Sequence, residues 1–237
     1  MKAFLEPEEV KSLESSATCL RDRLLIRLLF HLGCRISEAL GLEVKDIDFK
    51  RGIVTIQHLK TRINLACPDC GTRLAKNHSF CPKCGLKVKA AVAKEQEHRK
   101  MRALPLDSDS MEMLQNYIKR GGPVEDGNKR MLFGISRHRG WQVVKECAEK
   151  ARLPKLVNPE TGKVHNVSPH KLRDAFAVNA IKRNDSGDGL RLLQEHLGHS
   201  NFNTTAKYRK VSGDELNDWY QTLWEQPDMK NGKRNME

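Results

Sequence analysis

SPHKLRDAFA, residues 168–177, is the stretch on which the fold turns. Pro169 suits a first helical turn, and the spacing predicts a helix from Pro169 to Ile181. His170 and Arg173 are three apart and therefore share one face of it. Towards the C-terminus, helical patterns cover Gly189 to Leu197, Asn203 to Tyr208 and Asp214 to Trp224, and past Pro227 a polar tail, 227–237, reads as mobile. Towards the N-terminus, Asn158 to Gly162 reads as a loop and Trp141 to Arg152 as an amphipathic helix. Asp107 to Arg120 is a further helix, ended by Gly121, Gly122 and Pro123. From Glu6 to Leu42 the pattern predicts two helices and a short third. Pro7 suits a first turn, and Leu24, Leu25, Leu28, Leu29 and Leu32 recur at helical spacing before Gly33 interrupts. In GIVTIQHLK, residues 52–60, Ile53, Thr55 and Gln57 alternate with Val54, Ile56 and His58. MRALPLD, residues 101–107, has the same extended character, so the two predict one hairpin. The elements sum to a mainly α fold with a small β-sheet, in the α+β class.

A chain of 237 residues fits one large domain, or a core domain with one small insert. Apolar periodic segments recur along it despite 38% hydrophobic and 30% charged residues, which excludes wholesale disorder. No apolar run approaches the roughly 20 residues a membrane helix needs. Met1 to Glu14 is too acidic for a secretory signal, so the expectation is a cytoplasmic protein with no membrane partner. Lys plus Arg number 42 and Asp plus Glu 30, a net charge of +12, with pI near 9.5. That field favours a polyanionic partner, nucleic acid first.

Between the strands, Thr61 to His98 is rich in Cys, Lys and Gly, carries no sustained period, and reads as an insert over 62–97. Cys67, Cys70, Cys81 and Cys84 form C-x2-C-x10-C-x2-C, each pair followed by glycine as CPDCG and CPKCG. Two residues of spacing let both sulfurs of a pair face one ion, so the four thiolates are candidates to close the shell of a structural Zn2+. No open ligand position is implied, which argues against catalytic zinc, and His78 reads as a loop residue. With four of seven cysteines in two C-x-x-C pairs, and Cys19, Cys34 and Cys147 alone in apolar helical patterns, the pattern is one of metal usage and not a disulfide framework. The insert is also basic, with Arg62, Arg73, Lys76, Lys83, Lys87, Lys89 and Lys94, and is a candidate contact for phosphates.

Four stretches carry the chemistry. GCRISEALGL, residues 33–42, places Arg35 after the Gly33 break with Glu38 in the following helix. HLK, residues 58–60, presents Lys60 on the hairpin. SPHKLRDAFA holds His170 and Arg173. HLGHSNFNTTAKY, residues 196–208, holds His199 nine residues before Tyr208.

In order, spacing and local context these stretches resemble the tyrosine recombinases, or phage-type integrases, over nearly the whole chain except the cysteine-rich insert. The resemblance implies a mainly helical catalytic domain over 1–237 with a small sheet. It also implies cutting and rejoining of double-stranded DNA through a 3′-phosphotyrosine, with dimeric or tetrameric assembly on the DNA. The implied catalytic set is Arg35, Lys60, His170, Arg173, His199 and the nucleophile Tyr208, and His199 is preferred to His196 because it stands in LGHS. Type IB topoisomerase-like nicking, or DNA binding without catalysis, remain alternatives on the same scaffold. Asp174 departs from the pattern, since many members carry a second histidine there. The helical DNA-clamping domain that usually precedes this one is missing, as in a minimal enzyme or a piece of a longer chain.

The residue types suit that reaction. A phosphodiester gathers charge on its non-bridging oxygens during displacement, and the Arg35 and Arg173 forks can stabilise it. A phenol with an ordinary pKa near 10 needs a base or a positive field, and His170 is the candidate acceptor. His199 is the candidate donor to a phosphate oxygen, and Lys60 the acid for the leaving 5′-oxygen, with Lys100 as its substitute. The arginines make a catalytic divalent ion unnecessary, and the covalent link makes ATP unnecessary. Leu216, Trp219, Tyr220 and Leu223 share an apolar helical face, which can dock on a neighbouring protomer or pack within the chain.

Overall fold

Helix α2 (Leu20–His31) has Leu24, Leu25, Ile26, Leu28 and Leu29 fully buried and so becomes the axis of the core. This computed structural model describes residues 2–75, 78–88, 92–158 and 161–209. The predicted helix Asp214 to Trp224, its apolar face and the tail 227–237 lie outside those residues. Around α2 stand α1 (Pro7–Ser15), α3 (Ile36–Leu40), α4 (Ser108–Lys119), α5 (Arg137–Lys150) and α6 (Pro169–Arg183). A smaller cluster of Ala177, Ile181, Leu190, Leu193 and Leu197 joins α6 to α7 (Gly187–Leu197), and Phe176 touches both clusters. A short α8 (Phe202–Ala206) and a single 3-10 turn, Lys207–Arg209, follow. Every predicted helix that falls among the described residues is found. The one predicted from Trp141 starts earlier, at Arg137, because Ser136 caps it through a bond from the Arg139 N–H.

The main sheet holds β1 (Ile47–Asp48), β2 (Ile53–Ala66), β3 (Arg73–Leu74) and β4 (Val92–Pro105). β2 and β4 pair antiparallel without interruption from Ile53↔Pro105 to Ala66↔Val92. The hairpin is therefore longer than its sequence suggests, and pairing runs into the predicted insert from both ends. Alternation is visible only where one face is buried, and at the base Val54, Ile56 and Leu104 supply that face. Strands of 14 residues at about 3.3 Å per residue make an arm with a contour near 45 Å. The cysteine-rich segment sits at its far end, where β3 pairs Leu65↔Leu74 and Ala66↔Arg73. Two small hairpins were not predicted: β5 (Val124–Asp126) with β6 (Lys129–Met131), and β7 (Leu156–Val157) with β8 (Val164–His165), which brackets the predicted loop.

Gly33 ends the α2 region with φ +53°, and a Cβ there would run into the Phe176 ring. The left-handed backbone alone costs a non-glycine residue about 1–2 kcal/mol, and overpacking adds about 1–3 kcal/mol. Gly33→Ala should therefore lower unfolding free energy by about 2–5 kcal/mol in urea titration.

Asp107 caps α4, accepting from Ser110 N at 2.9 Å and Ser110 Oγ at 2.7 Å, and meets His31 Nδ1 at 2.7 Å and Arg27 Nη2 at 3.4 Å. Burial opposes its charge, but the Ser110 bonds and the His31 and Arg27 charges prevail and hold its carboxyl at about 2. A folded-state pKa below the unfolded value of about 3.9 stabilises the fold above that value, and the contribution fades as pH falls towards 2. Asp107→Asn keeps a capping side chain but loses the charge that faces His31 and Arg27, so it should lose about 1 kcal/mol of stability at pH 7. Its stability should also fall less steeply than wild type between pH 4 and 2, as thermal melts across that window would show.

Candidate active site

Arg173 is 1% exposed on α6, so its cation must be satisfied inside the protein. Nη1 donates to Gly33 O at 2.7 Å and Nη2 to Leu197 O at 2.8 Å. Those carbonyls lie at the C-terminal ends of α2 and α7, where helix dipoles place partial negative charge. Nη2 also lies 3.1 Å from His199 Nε2. Burial, then the neighbouring Arg35, lower the Arg173 pKa.

Glu38, buried on α3, organises the other arginines. Its carboxylate accepts from Arg35 N and Arg35 Nη1, both at 2.9 Å. Arg102 Nη2 on β4 stands 2.9 Å away as an ion pair, although its N–H is not aimed along a lone pair. Arg102 Nη1 donates to His196 O, tying the hairpin to the end of α7. Burial opposes the Glu38 charge, but the Arg35 backbone bond and the two guanidiniums outweigh it and lower its pKa. Arg35 keeps its side chain one-third exposed beside this anchor.

Gly198 terminates α7 in the left-handed conformation, φ +66°, which turns the chain so that His199 faces back to Arg173. Burial, then Arg173, Arg35 and Arg102, hold its imidazole down to about 4, so the ring is neutral at pH 7. Nε2 faces the Arg173 donor and so accepts, which puts the proton on Nδ1, 2.9 Å from Thr205 Oγ1. In this arrangement the ring orients Arg173, and neither nitrogen is left to donate to a phosphate. His196 is separate: its Nε2 lies 3.0 Å from Leu32 O and its ring stacks on Phe176.

Tyr208, in the turn after α8, lies with its ring centroid 6.3 Å from that of His199. Its hydroxyl donates to Asp174 Oδ1 at 2.9 Å. Burial first, then the Asp174 charge, push its phenol well above the ordinary range, while Arg173 and Arg35 pull the other way. His170 has a side chain 72% exposed, with Nε2 3.6 Å from Asp174 Oδ1. Among the described residues, the group facing the tyrosine hydroxyl is thus Asp174, and His170 stands behind it. Lys60 and Lys100 occupy β2 and β4 at the register pairs Lys60↔His98 and His58↔Lys100, halfway along the arm.

Arg102 and the role of Asp174 escaped the sequence reading. Arg102, Leu104 and Leu106 share one strand parity, and both leucines are buried, so a charge at an inward position was the available signal.

At the arm's end the sulfurs of Cys67, Cys70, Cys81 and Cys84 lie within 4.8 Å of one another, with Cys67–Cys84 at 3.7 Å and Cys70–Cys81 at 3.5 Å. A tetrahedron of sulfurs at 2.3 Å from one ion has edges of about 3.8 Å. The donor set therefore fits a four-coordinate ion. The two knuckles repeat one geometry, Gly71 N to Cys67 O and Gly85 N to Cys81 O, both at 3.0 Å. Bonds with the Thr72 hydroxyl and backbone lower the Cys70 thiol to about 6. At Cys84 a bond from the Leu86 backbone is outweighed by burial and the neighbouring thiols, which push it up to about 12, so four thiolates need a cation among them.

The family model described as the phage integrase family matches residues 3–69 and 70–215. A relative, tyrosine recombinase XerD of Neisseria meningitidis serogroup B, is 29% identical over 201 residues, covering 81% of this chain and 51% of its own. The chain spans about half the length of such curated relatives. Among solved structures, XerA recombinase superposes with a TM-score of 0.63 at 18% identity, covering 96% of this chain and 67% of that one. XerH site-specific recombinase bound to palindromic difH substrate gives 0.59 at 20% identity, covering 94% and 54%. By the extent of the family match and the shared fold, the chain belongs to the phage integrase family.

Proposed function

We propose that this chain is the catalytic part of a site-specific recombinase or integrase that cuts and rejoins double-stranded DNA through a 3′-phosphotyrosine at Tyr208. The observation that carries the reading is the convergence of Arg35, Arg173, His199 and Tyr208 from distant parts of the chain on one buried cluster of excess positive charge. Three guanidiniums, Arg35, Arg102 and Arg173, face two carboxylates, Glu38 and Asp174, so an anionic phosphate completes the balance. Arg35 and Arg173 receive its non-bridging oxygens, where charge grows as Tyr208 attacks. His199 fixes the Arg173 fork, and its contact with a phosphate oxygen follows release of one of its present partners. His170, exposed at the start of α6, can reach the same phosphate. Lys60, carried on the hairpin arm, protonates the leaving 5′-oxygen, with Lys100 as its substitute. The arginines supply the electrostatics, so neither a catalytic divalent ion nor ATP enters. Double-stranded DNA as substrate agrees with the net charge of +12 and with the DNA-bound relative XerH. Strand exchange between two duplexes requires a dimer or tetramer of the chain on DNA.

Cys67, Cys70, Cys81 and Cys84 hold one structural zinc ion, which cross-links two knuckles whose own core, among the described residues, is Cys67, Leu74 and Cys81 with a few partly buried neighbours. Exposed Arg73, Lys83 and Lys87 on this module meet phosphates flanking the cleavage site. The purified chain should carry one zinc by elemental analysis, and Cys67→Ser should lose it while the catalytic core keeps its melting transition. Retention of stoichiometric zinc by that variant would refute the ligand set.

A nicked duplex that loses its 5′ product tests the chemistry. Wild type should accumulate a covalent adduct with EDTA present for the length of a short assay, and Tyr208→Phe should bind the duplex equally but form none. Adduct persisting in the variant would move the nucleophile elsewhere, and strict magnesium dependence would sink the metal-free mechanism.

A further inference from the structure

We propose that Asp174 is the general base of the reaction, taking the proton of Tyr208 Oη as that oxygen bonds to phosphorus. The proposal rests on the phosphotyrosine reading and assigns within it a residue that the family resemblance leaves without a role. Three observations carry it. The Tyr208 hydroxyl donates to Asp174 Oδ1 at 2.9 Å, so the proton to be removed already points at a carboxylate lone pair. Asp174 is 7% exposed, so little water competes for that lone pair. Lys171 Nζ at 3.4 Å from Oδ2 balances its charge from the first turn of α6, and His170 Nε2 lies 3.6 Å from Oδ1. His170 itself, the other candidate acceptor, turns its Nε2 to Asp174 and is largely in solvent.

The step balances. The Oη–P bond forms and the P–O5′ bond breaks; the Oη proton passes to Asp174 Oδ1; the P–O5′ electron pair leaves on O5′, which takes a proton from the hairpin acid. On rejoining, Asp174 returns the proton to Oη as the 5′-hydroxyl attacks. Negative charge thereby moves from the Asp174 carboxylate to the phosphoryl oxygens facing Arg35 and Arg173. Burial and the Asp174 charge raise the Tyr208 pKa, so a free phenolate is scarce at neutral pH and proton removal must accompany attack. A carboxylate suits that timing, because the phenolic proton becomes acidic as its oxygen bonds to phosphorus; an aspartate takes a substrate hydroxyl proton in the same way in protein kinases.

The test is single-turnover adduct formation on the nicked duplex by the full chain, with DNA affinity and melting measured alongside. Asp174→Asn keeps the shape and can still accept the Tyr208 bond, but it cannot take the proton. It should form adduct at least about a hundredfold more slowly at unchanged DNA affinity. Asp174→Glu, which restores a carboxylate, should recover part of the rate. Asn at the wild-type rate, or faster, would show that the contact only parks the tyrosine and would overturn the assignment. Early melting or lost DNA binding in both variants would assign Asp174 to the fold instead, with the same result. Wild type alone provides a second measurement on a duplex whose 5′-bridging oxygen is sulfur. That leaving group needs no acid, so only the phenol proton is in flight and the reaction should run measurably slower in D2O; no isotope effect would mean that no base acts. Absence of adduct with wild type would sink the phosphotyrosine reading as well, whereas equal adduct rates for wild type and Asp174→Asn would sink the Asp174 assignment alone.

Discussion

The Arg173 guanidinium is a full charge placed where almost no water reaches it, and the arrangement of three helices follows from satisfying it. Removing such an ion from water costs several kcal/mol, which hydrogen bonds to charged groups, at about 1.5–3 kcal/mol each, can offset. The donors find Gly33 O and Leu197 O, so α2 and α7 must both end against α6. The left-handed residues Gly33 and Gly198 sit at those two ends. Its hydrogen bonds run to two carbonyls and the His199 ring, none of them an anion, so its charge remains available to an incoming anion. A buried Arg–Glu pair would have spent that charge on the fold.

Of the two carboxylates that face this cluster, Glu38 is paired with Arg35 and Arg102, whose charges flank the site. Arg102 belongs to the base of the long hairpin and also reaches the His196 carbonyl. The same contact that balances Glu38 thus fixes the arm that carries Lys60 to the turn that presents His199. Planar guanidiniums make this possible, since each can serve two acceptors in fixed directions while an ammonium would act as a point charge.

How much of this was legible follows from which physical effects leave a mark on sequence. The helices were readable because a buried face imposes a 3.6-residue period, and even α8 showed through its position after LGHS. The base of the hairpin was readable for the parallel reason. Its outer half was not, because Lys60, Arg62 and Lys94 stand in a polar stretch whose sequence carries no alternation, although the backbone pairing runs on through it. The four cysteines announced their cluster through spacing. Arg35, Arg173, His199 and Tyr208 announced theirs only together, since each alone is an ordinary polar residue. Asp174 and Arg102 were hidden because their partners, Tyr208 at a separation of 34 residues and Glu38 on another element, are set by tertiary placement.

The cluster is mounted on supports of unequal strength. Arg35 and Arg173 stand on elements packed into the main core, whereas Tyr208 follows a helix of five residues, too short to hold itself by its own hydrogen bonds. Within α8 only Thr205 is buried, and its hydroxyl is held by His199. Tyr208 leans on the smaller cluster of α6 and α7 and is fixed by Asp174. Tyr208 is therefore placed by two polar contacts and modest packing, and the arginine charges beside it are placed by the core. Such a division lets the tyrosine segment shift without disturbing the arginine cluster, a freedom that the proposed cutting and rejoining would use while Tyr208 is covalently attached.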